Sequence, residues 1–275
     1  AIPDTIVNLQ KLKALNLSYN SISLLPDKIS ELTELEELII SDNNISELPT
    51  NIGDLTKLVK LHATDNALGS LPSSICNLSN LNYLLLENNQ INSLPDNFSD
   101  LSNLIELNLR NNQLLDLPSG FGEFGVLHDL DLSNNQLSIL PPNFGNMSKL
   151  NSLLLNDNNL TSLPGTIGNM ISLEKLWLQG NKIGTLPDEI AELHALLSLK
   201  LNSNELSSLP EDIGSLENLQ ELFLGNNYLL TFPSSLCNVF SCKINEGCND
   251  VTVGNLEIFQ IDDNYICFND VPECY

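Results

Sequence analysis

Basic residues are scarce in this chain. Of its 275 residues, 11 are Lys or Arg and 35 are Asp or Glu, which gives a formal net charge of −24 at pH 7. Proteins bind nucleic-acid phosphates through Lys and Arg side chains, with release of counterions. The composition therefore argues against a nucleic acid as the partner.

Long apolar runs are also lacking, although 42% of the residues are apolar. The longest uninterrupted run has four residues, as in Tyr83–Leu86. A helix that spans a bilayer needs about 20 consecutive apolar residues. The sequence therefore predicts no membrane span in this chain, while its apolar content is sufficient for a folded core.

Motifs that carry catalysis are missing as well. His62, His128 and His194 are far apart in the sequence and have no partners at catalytic spacing. None of the common zinc-protease, phosphate-loop or nucleophile-elbow strings occurs. We therefore expect a protein that is not an enzyme and that uses neither a cofactor nor a metal ion.

The chain does contain a strict internal repeat. The string L-x-x-L-x-L-x-x-N begins at Leu12 and recurs every 23 residues up to Leu219, and a Pro follows each Asn by six residues. A fixed period of this length is the signature of stacked repeats. The invariant Asn residues of the ten copies are Asn20, Asn43, Asn66, Asn89, Asn112, Asn135, Asn158, Asn181, Asn204 and Asn227.

An eleventh copy is disguised near the C-terminus. It starts at Leu256, ends at Asn264 and lies 37 residues after Leu219, so it carries 14 inserted residues. The sequence therefore predicts ten repeats over residues 1–233. Residues 234–275 then form a cysteine-rich C-terminal cap that contains the eleventh repeat.

The spacing within a repeat predicts its local structure. In L-x-L the two Leu side chains point to one face of a short strand, and the residue between them points to the other. The Asn follows where the chain turns, and its amide can donate to and accept from the backbones of adjacent coils. A single coil buries too little apolar surface to fold alone, so the coils must stack. We expect an α/β solenoid with a parallel sheet on its inner face and a ladder of these Asn side chains, including Asn264.

The pattern L-P-x-x-I-G-x-L-x-x-L-x-x-L-x-L-x-x-N-x-L resembles the 23-residue class of leucine-rich repeat proteins, over essentially the whole chain. This resemblance implies a curved horseshoe with short helical or 3-10 segments on the convex side. It also implies that a protein or peptide partner binds to the concave face.

The C-terminal cysteines are similar to those that cap secreted or cell-surface members of this family. Five of the six cysteines fall in the last 39 residues. Cys76 and Cys237 share a column of mostly small residues, so we expect Cys76 to be a buried thiol. If Cys237 is also free, the other four form two disulfides; we favour Cys242–Cys248 and Cys267–Cys274, although three pairings are open. The cap predicts an extracellular protein.

Large residues recur at the outward position of the predicted strands. We expect partner-binding residues among those on this face and close to it, namely Tyr83, Leu85, Arg110, Asp131, Leu154, Trp177, Lys200 and Phe223. Aromatic anchors on an exposed face are typical of protein interfaces. Alternatively, such residues only cover the sheet, and Arg110 only pairs with Asp131.

The sequence alone thus predicts a recognition or adhesion module, such as a receptor ectodomain, with a partner that its acidity would favour to be basic. Two alternatives stay open: an inhibitor of a secreted hydrolase, and an ice- or surface-binding repeat protein. The first residues, Ala1–Pro3, enter in the middle of a repeat and leave Ile6, Leu9 and Leu12 without a preceding coil. We favour a fragment of a longer ectodomain, and dimerisation through that end is the alternative.

Overall fold

The computed structural model describes residues 2–238 and 258–260, with residues 237, 238 and 258–260 described by their backbone alone. The chain divides into two compact units, residues 1–137 and residues 138–275. Both units are built from the same element pair, a three-residue strand followed by a short 3-10 helix, repeated coil after coil.

The first unit contains six strands. Neighbouring strands are parallel and pair with an offset of 23 residues, so that Leu15 lies beside Leu38 and Leu38 beside Leu61. The offset between paired strands is therefore equal to the period of the sequence repeat. The strands are β1 (Ala14–Asn16), β2 (Glu37–Ile39), β3 (Lys60–His62), β4 (Tyr83–Leu85), β5 (Glu106–Asn108) and β6 (Asp129–Asp131).

The second unit contains five described strands with the same parallel pairing. Leu153 lies beside Leu176, and Leu176 beside Leu199. The last pair places Leu222 beside Phe259, an offset of 37 residues, as the alignment of the disguised repeat requires. The strands are β7 (Ser152–Leu154), β8 (Lys175–Trp177), β9 (Ser198–Lys200), β10 (Glu221–Phe223) and β11 (Ile258–Gln260).

A 3-10 helix lies on the opposite side of each coil from the strand. The repeat Pro provides an extended residue before the helix, and its carbonyl accepts an i→i+3 hydrogen bond, as from Ile29 N–H to Pro26 O at 2.9 Å. A segment this short is typical of 3-10 geometry. In the first unit these helices are Asp4–Asn8, Asp27–Glu31, Ile52–Asp54, Ser73–Asn77, Phe98–Asp100 and Phe121–Glu123. In the second unit they are Phe144–Asn146, Gly165–Asn169, Asp188–Glu192, Glu211–Ser215 and Ser234–Asn238.

The parallel strands and the short 3-10 segments confirm the predicted leucine-rich repeat solenoid. No α-helix occurs in the described ranges, so the helical alternative for the convex side is not used there. The core of each coil consists of the repeat Leu and Ile side chains; Leu61 in the first unit and Leu176 in the second are fully buried. The first unit adds three buried phenylalanines in contact, Phe98, Phe121 and Phe124.

The repeat Asn side chains join successive coils. In the first unit the Asn135 side-chain amide donates to Leu132 O and Ser133 O of its own coil and to Leu109 O of the coil before it, at 2.9–3.2 Å. Its side-chain oxygen accepts from Leu114 N–H at 3.0 Å. Asn204 bonds in the same way in the second unit. The Asn20 side-chain amide donates to Leu17 O and Ser18 O of its own coil, and Asn264 lies outside the described residues.

The residue directly before each of the ten Asn residues adopts a left-handed backbone conformation. Asp and Asn dominate this column, because their short polar side chains tolerate positive φ better than other non-glycine residues do. In the first unit the side chains also form a chain at the rim, since Asn88 donates to Asp65 at 2.9 Å and Asn111 donates to Asn88 at 2.7 Å. The column consists of Tyr19, Asp42, Asp65, Asn88, Asn111, Asn134, Asp157, Gly180, Ser203 and Asn226.

A second column, within the 3-10 helices, holds small residues because the next coil passes close to it. A Cβ on Gly53 would overlap the carbonyl oxygen of Ser74, and a Cβ on Gly145 would overlap that of Thr166. Cys76 occupies the same column and is 4% exposed. Burial, with a smaller contribution from Asp100, raises the pKa of the Cys76 thiol to about 11.

The first prediction concerns the Asn ladder. Asn135→Ala should lower the free energy of unfolding by about 1–3 kcal/mol, because backbone groups of two coils lose their partner in a buried place. Chemical denaturation measures the loss. Asn92→Ala removes an exposed asparagine from the same unit and should change stability by less than about 0.5 kcal/mol. Equal effects of the two substitutions would contradict the ladder's role.

The second prediction concerns Gly180, the only glycine in the left-handed column. Its φ is +71°, and a Cβ there would lie 2.5 Å from Asp157 Oδ1. Gly180→Ala should therefore cost about 1–2 kcal/mol in thermal or chemical unfolding. Gly184→Ala is the matched control, because a Cβ at Gly184 meets nothing within 4 Å. A Gly180→Ala variant as stable as Gly184→Ala would refute this account.

The third prediction concerns Cys76. With a pKa of about 11, roughly one thiol in a thousand is ionised at pH 8, and the thiolate is the reactive form. Cys76→Ala should leave the number of thiols that a disulfide reagent titrates in the native protein unchanged. It should lower the number in denaturant by one. Loss of a rapidly reacting native thiol in this variant would show that Cys76 is accessible.

Candidate binding face

The strands β1 to β10 present two side chains each to the same surface. In β2 to β10 the central residue points into the core and is buried, while the first and third residues point outward and are mostly half-buried, as Leu176 and its neighbour Trp177 illustrate. We call the outward first and third residues of the strands of a unit its strand face. Because the core is filled without them, these residues are free to vary.

The strand face of the second unit carries an array of aromatic rings and lysines. The Lys200 ammonium lies 3.8 Å from the centroid of the Trp177 ring and 5.2 Å from that of the Phe223 ring. On β8, the strand that also carries Trp177, the Lys175 ammonium lies 5.2 Å from the centroid of the Trp177 ring. Such cation–π contacts contribute roughly 0.5–1 kcal/mol each at exposed sites. Leu154 continues the same column on β7.

A hydrogen-bond chain fixes the orientation of Trp177. Its indole N–H donates to the hydroxyl of Ser198 at 3.3 Å, and the Ser198 hydroxyl donates to a Glu221 carboxylate oxygen at 2.7 Å. Ser198 is 7% exposed, so the chain runs beneath the aromatic surface. The edge of the ring is thus held, and its faces remain for the lysines and for a ligand.

The strand face of the first unit is organised around Tyr83. The Lys60 ammonium lies 5.8 Å from the Tyr83 centroid and forms an ion pair with Glu37 at 3.4 Å. His62 follows on the same strand as Lys60; burial, and secondarily the Lys60 charge, lower the pKa of this imidazole. His62 is therefore held in its neutral form at neutral pH. Leu85 is the outward partner of His62 in the register.

Acidic residues follow on β5 and β6. Burial, and then the neighbouring Asp129 charge, raise the pKa of the Glu106 carboxyl. Asp131 accepts hydrogen bonds from the backbone N–H and the hydroxyl of Ser133, at 2.9 and 2.6 Å. Its carboxylate thus caps the turn after β6.

Arg110 lies two residues beyond the end of β5, and its side chain is exposed. Its backbone N–H donates to Asn108 Oδ1 at 2.9 Å. Asp131 is engaged with Ser133 instead, and within residues 2–238 no ion pair links Arg110 to Asp131. The alternative that Arg110 serves only to neutralise Asp131 is therefore not supported.

Family models for leucine-rich repeats match most of the chain. A leucine-rich repeat region model matches residues 2–106, and two leucine-rich repeat models match residues 103–124 and 126–147 and residues 171–229. A leucine-rich repeat protein from Leptospira interrogans, of known structure, is 31% identical over 98% of this chain and 71% of its own, with a TM-score of 0.74. The chain belongs to the leucine-rich repeat proteins.

Two further solved relatives of this leucine-rich repeat protein are plant receptors. A plant peptide hormone receptor solved in complex with RGF2 is 32% identical, with a TM-score of 0.82, over 94% of this chain and 41% of the receptor. The leucine-rich repeat ectodomain of a membrane receptor kinase from Arabidopsis thaliana, solved in complex with Casparian strip integrity factor 2, is 28% identical, with a TM-score of 0.60, over 96% and 37%. The chain thus spans less than half the length of each receptor. No curated protein sequence matches it.

Two further features were sought in the described part of this leucine-rich repeat protein, a group of metal-ligating side chains and a membrane-spanning helix. Across residues 2–238, no three His, Cys, Asp or Glu side chains are grouped as a metal site would need. In the same range no helix has the length and apolarity to cross a membrane.

Three contributors to the second unit's array were not among the residues singled out from the sequence. Lys175, Ser198 and Glu221 are the first residues of their strands, whereas most of the predicted binding residues are the third. The signal was present, since in a three-residue strand the first and third residues share a face. Two of their contacts link neighbouring coils: Trp177 with Ser198, 21 residues apart, and Ser198 with Glu221, 23 residues apart. The third joins Lys175 to Trp177 on the same strand.

A shallow polar groove also runs along one flank of the first unit. Its amides are already used: Asn80 donates to Thr56 O at 2.7 Å, and Asn103 donates to Ser79 O at 2.7 Å. The groove therefore offers few free donors to a ligand. It is lined by Glu36, Lys57, Val59, Asn80, Asn82 and Asn103.

Proposed function

We propose that this leucine-rich repeat protein is a non-enzymatic recognition module that holds a protein or peptide partner on the strand face of its second unit. The observation that carries the proposal is the array of Trp177, Lys200 and Phe223. These three side chains lie on three consecutive strands and remain partly exposed, and the Lys200 ammonium contacts both rings.

The packing of the unit does not require this array. The core side of the same strands is closed by Leu176, Leu199 and Leu222, which are fully buried. Covering the sheet would need only aliphatic bulk, whereas Trp177 has its indole N–H bonded to Ser198 and its ring contacted by two ammonium groups. A ring held in one orientation loses little conformational entropy when a partner binds to it, which favours binding.

The relatives support a partner of this kind. Two of them are plant receptor structures solved with RGF2 and with Casparian strip integrity factor 2. The second of these is an ectodomain.

From these relatives, and from the cysteine-rich C-terminal sequence, we propose an extracellular location, with a role in recognition or adhesion. Cys242, Cys248, Cys267 and Cys274, which lie outside the described residues, would then form the two disulfides of the cap.

Charge supports a long-range contribution to binding. The net charge of −24 gives the chain a negative field that attracts basic partners and makes association weaken as salt rises. In the first unit, the strand face carries the acidic residues Glu106, Asp129 and Asp131. We propose that basic segments of a partner contact that unit.

Trp177→Ala tests the proposed function. A phage-displayed library of random linear peptides is selected on the full chain, and the affinities of the selected peptides are measured by calorimetry. We expect Trp177→Ala to weaken their binding about thirtyfold, roughly 2 kcal/mol, as for a central aromatic anchor.

Ile171→Ala is the matched control, because Ile171 is an apolar side chain of the same unit, 66% exposed and away from the strand face. It should change affinity by less than about twofold. The proposal fails if no peptide is enriched over a chain-free surface, or if Trp177→Ala binds the selected peptides as tightly as the unaltered chain does.

A further inference from the structure

Two lysines of the second unit converge on one aromatic ring without a carboxylate partner. Lys175 and Lys200 both contact the Trp177 ring, and neither forms an ion pair within the described part of the chain. In contrast, Lys60 of the first unit contacts an aromatic ring and is paired with Glu37. In a chain with 35 acidic and 11 basic residues, such a pair of lysines leaves an anion-binding position open.

The local charge differs in sign from that of the whole chain. On the strand face from β7 to β10, the charged residues are Lys175, Lys200 and Glu221. Glu221 accepts the Ser198 hydroxyl hydrogen bond, and that hydroxyl in turn accepts from the Trp177 indole. The one carboxylate is therefore used to hold the ring, and the exposed charge around the ring is positive.

The two ammonium groups contact the same aromatic ring, which limits the distance between them. Because they are 5.2 and 3.8 Å from the same ring centroid, their nitrogens are at most 9.0 Å apart. Small rotations of the flexible lysine stems can bring both to a single carboxylate, and charge-assisted hydrogen bonds of this type are short and strong. A ligand cation would instead meet two like charges at the ring.

We propose that Lys175 and Lys200 bind the side-chain carboxylate of a Glu or Asp residue in the partner peptide. The Trp177 and Phe223 rings pack against an apolar residue beside it. This inference rests on the proposed function and adds to it the chemistry of the bound residue: an acidic side chain next to an apolar one. The partner therefore carries an acidic position for the second unit, whatever its net charge.

The same selection of random peptides on the full chain tests the inference. Peptides selected on the unaltered chain should be enriched in Glu or Asp beside an apolar residue. The double substitution Lys175→Gln and Lys200→Gln should weaken their binding about tenfold, as loss of a charge pair in an interface does. Replacing the acidic residue of the peptide by its amide should cost about the same factor on the unaltered chain and almost nothing on the double variant.

Lys149→Gln with Lys182→Gln is the matched control, because both lysines are exposed residues of the same unit away from the strand face, and the change in net charge is identical. The control should leave affinity within about twofold. Thermal unfolding of each variant checks that the fold is retained, as expected for exposed side chains.

The outcomes separate this inference from the proposed function. Selected peptides that depend on Trp177 but are not enriched in Glu or Asp, or that bind the Lys175→Gln and Lys200→Gln variant unchanged, would overturn the inference and leave the proposed function standing. Enrichment of Lys or Arg would overturn it as well. No enriched peptide at all would overturn both.

Discussion

The hydrogen bonds of one asparagine per coil are the interaction on which the rest of the structure depends. A coil that turns from strand to loop leaves several backbone groups in a place that water does not reach, and buried polar groups without partners are costly. One side-chain amide satisfies carbonyls in its own coil and in the preceding one, and its oxygen accepts a backbone N–H of the preceding coil. Since each bond spans a fixed number of residues, a coil of another length could not keep them all. The 14 inserted residues accordingly fall after Asn227, outside the ten regular coils.

This constraint divides the residues of a coil into two groups. The buried Leu, Ile and Asn positions are held nearly uniform, since each has a neighbour of the same kind one period away. The outward residues of the strands are not constrained by this packing. In the first unit they include Tyr83, His62 and a run of acidic residues, and in the second they include two lysines around Trp177. The side chains that differ from coil to coil are therefore those that the packing of the core does not fix.

Much of the fold could be predicted from the sequence because a 23-residue period fixes strand register directly. The three strand residues, the inward Leu side chains and the position of the repeat Asn all follow from that period. The type of the convex segment did not follow, because a helical turn and a 3-10 turn place the same apolar residues inward. The left-handed column was also visible only as an excess of Asp and Asn, which turns explain in other ways.

The candidate site was less predictable than the fold. Trp177, Lys200 and Phe223 share a column, so their proximity follows from the repeat. The stacking of Lys200 between the two rings, and the approach of Lys175 to the same ring, depend on side-chain torsions that no sequence pattern sets. For Arg110 the sequence predicted a contact that is not formed. Its position beside the strands indicated a salt bridge with Asp131, whereas the Asp131 carboxylate accepts hydrogen bonds from Ser133 in the turn after β6.

The column of small residues in the 3-10 helices has a consequence for the spacing of the coils. At Gly53 and Gly145 the neighbouring coil's backbone lies where a methyl group would be, so the distance between successive coils on that side is set by contact between main chains. Strand separation on the other side is set by hydrogen bonding at about 4.8 Å. Within each unit, the spacing of the coils on the side of the 3-10 helices is thus set by residues that lie outside the strand face.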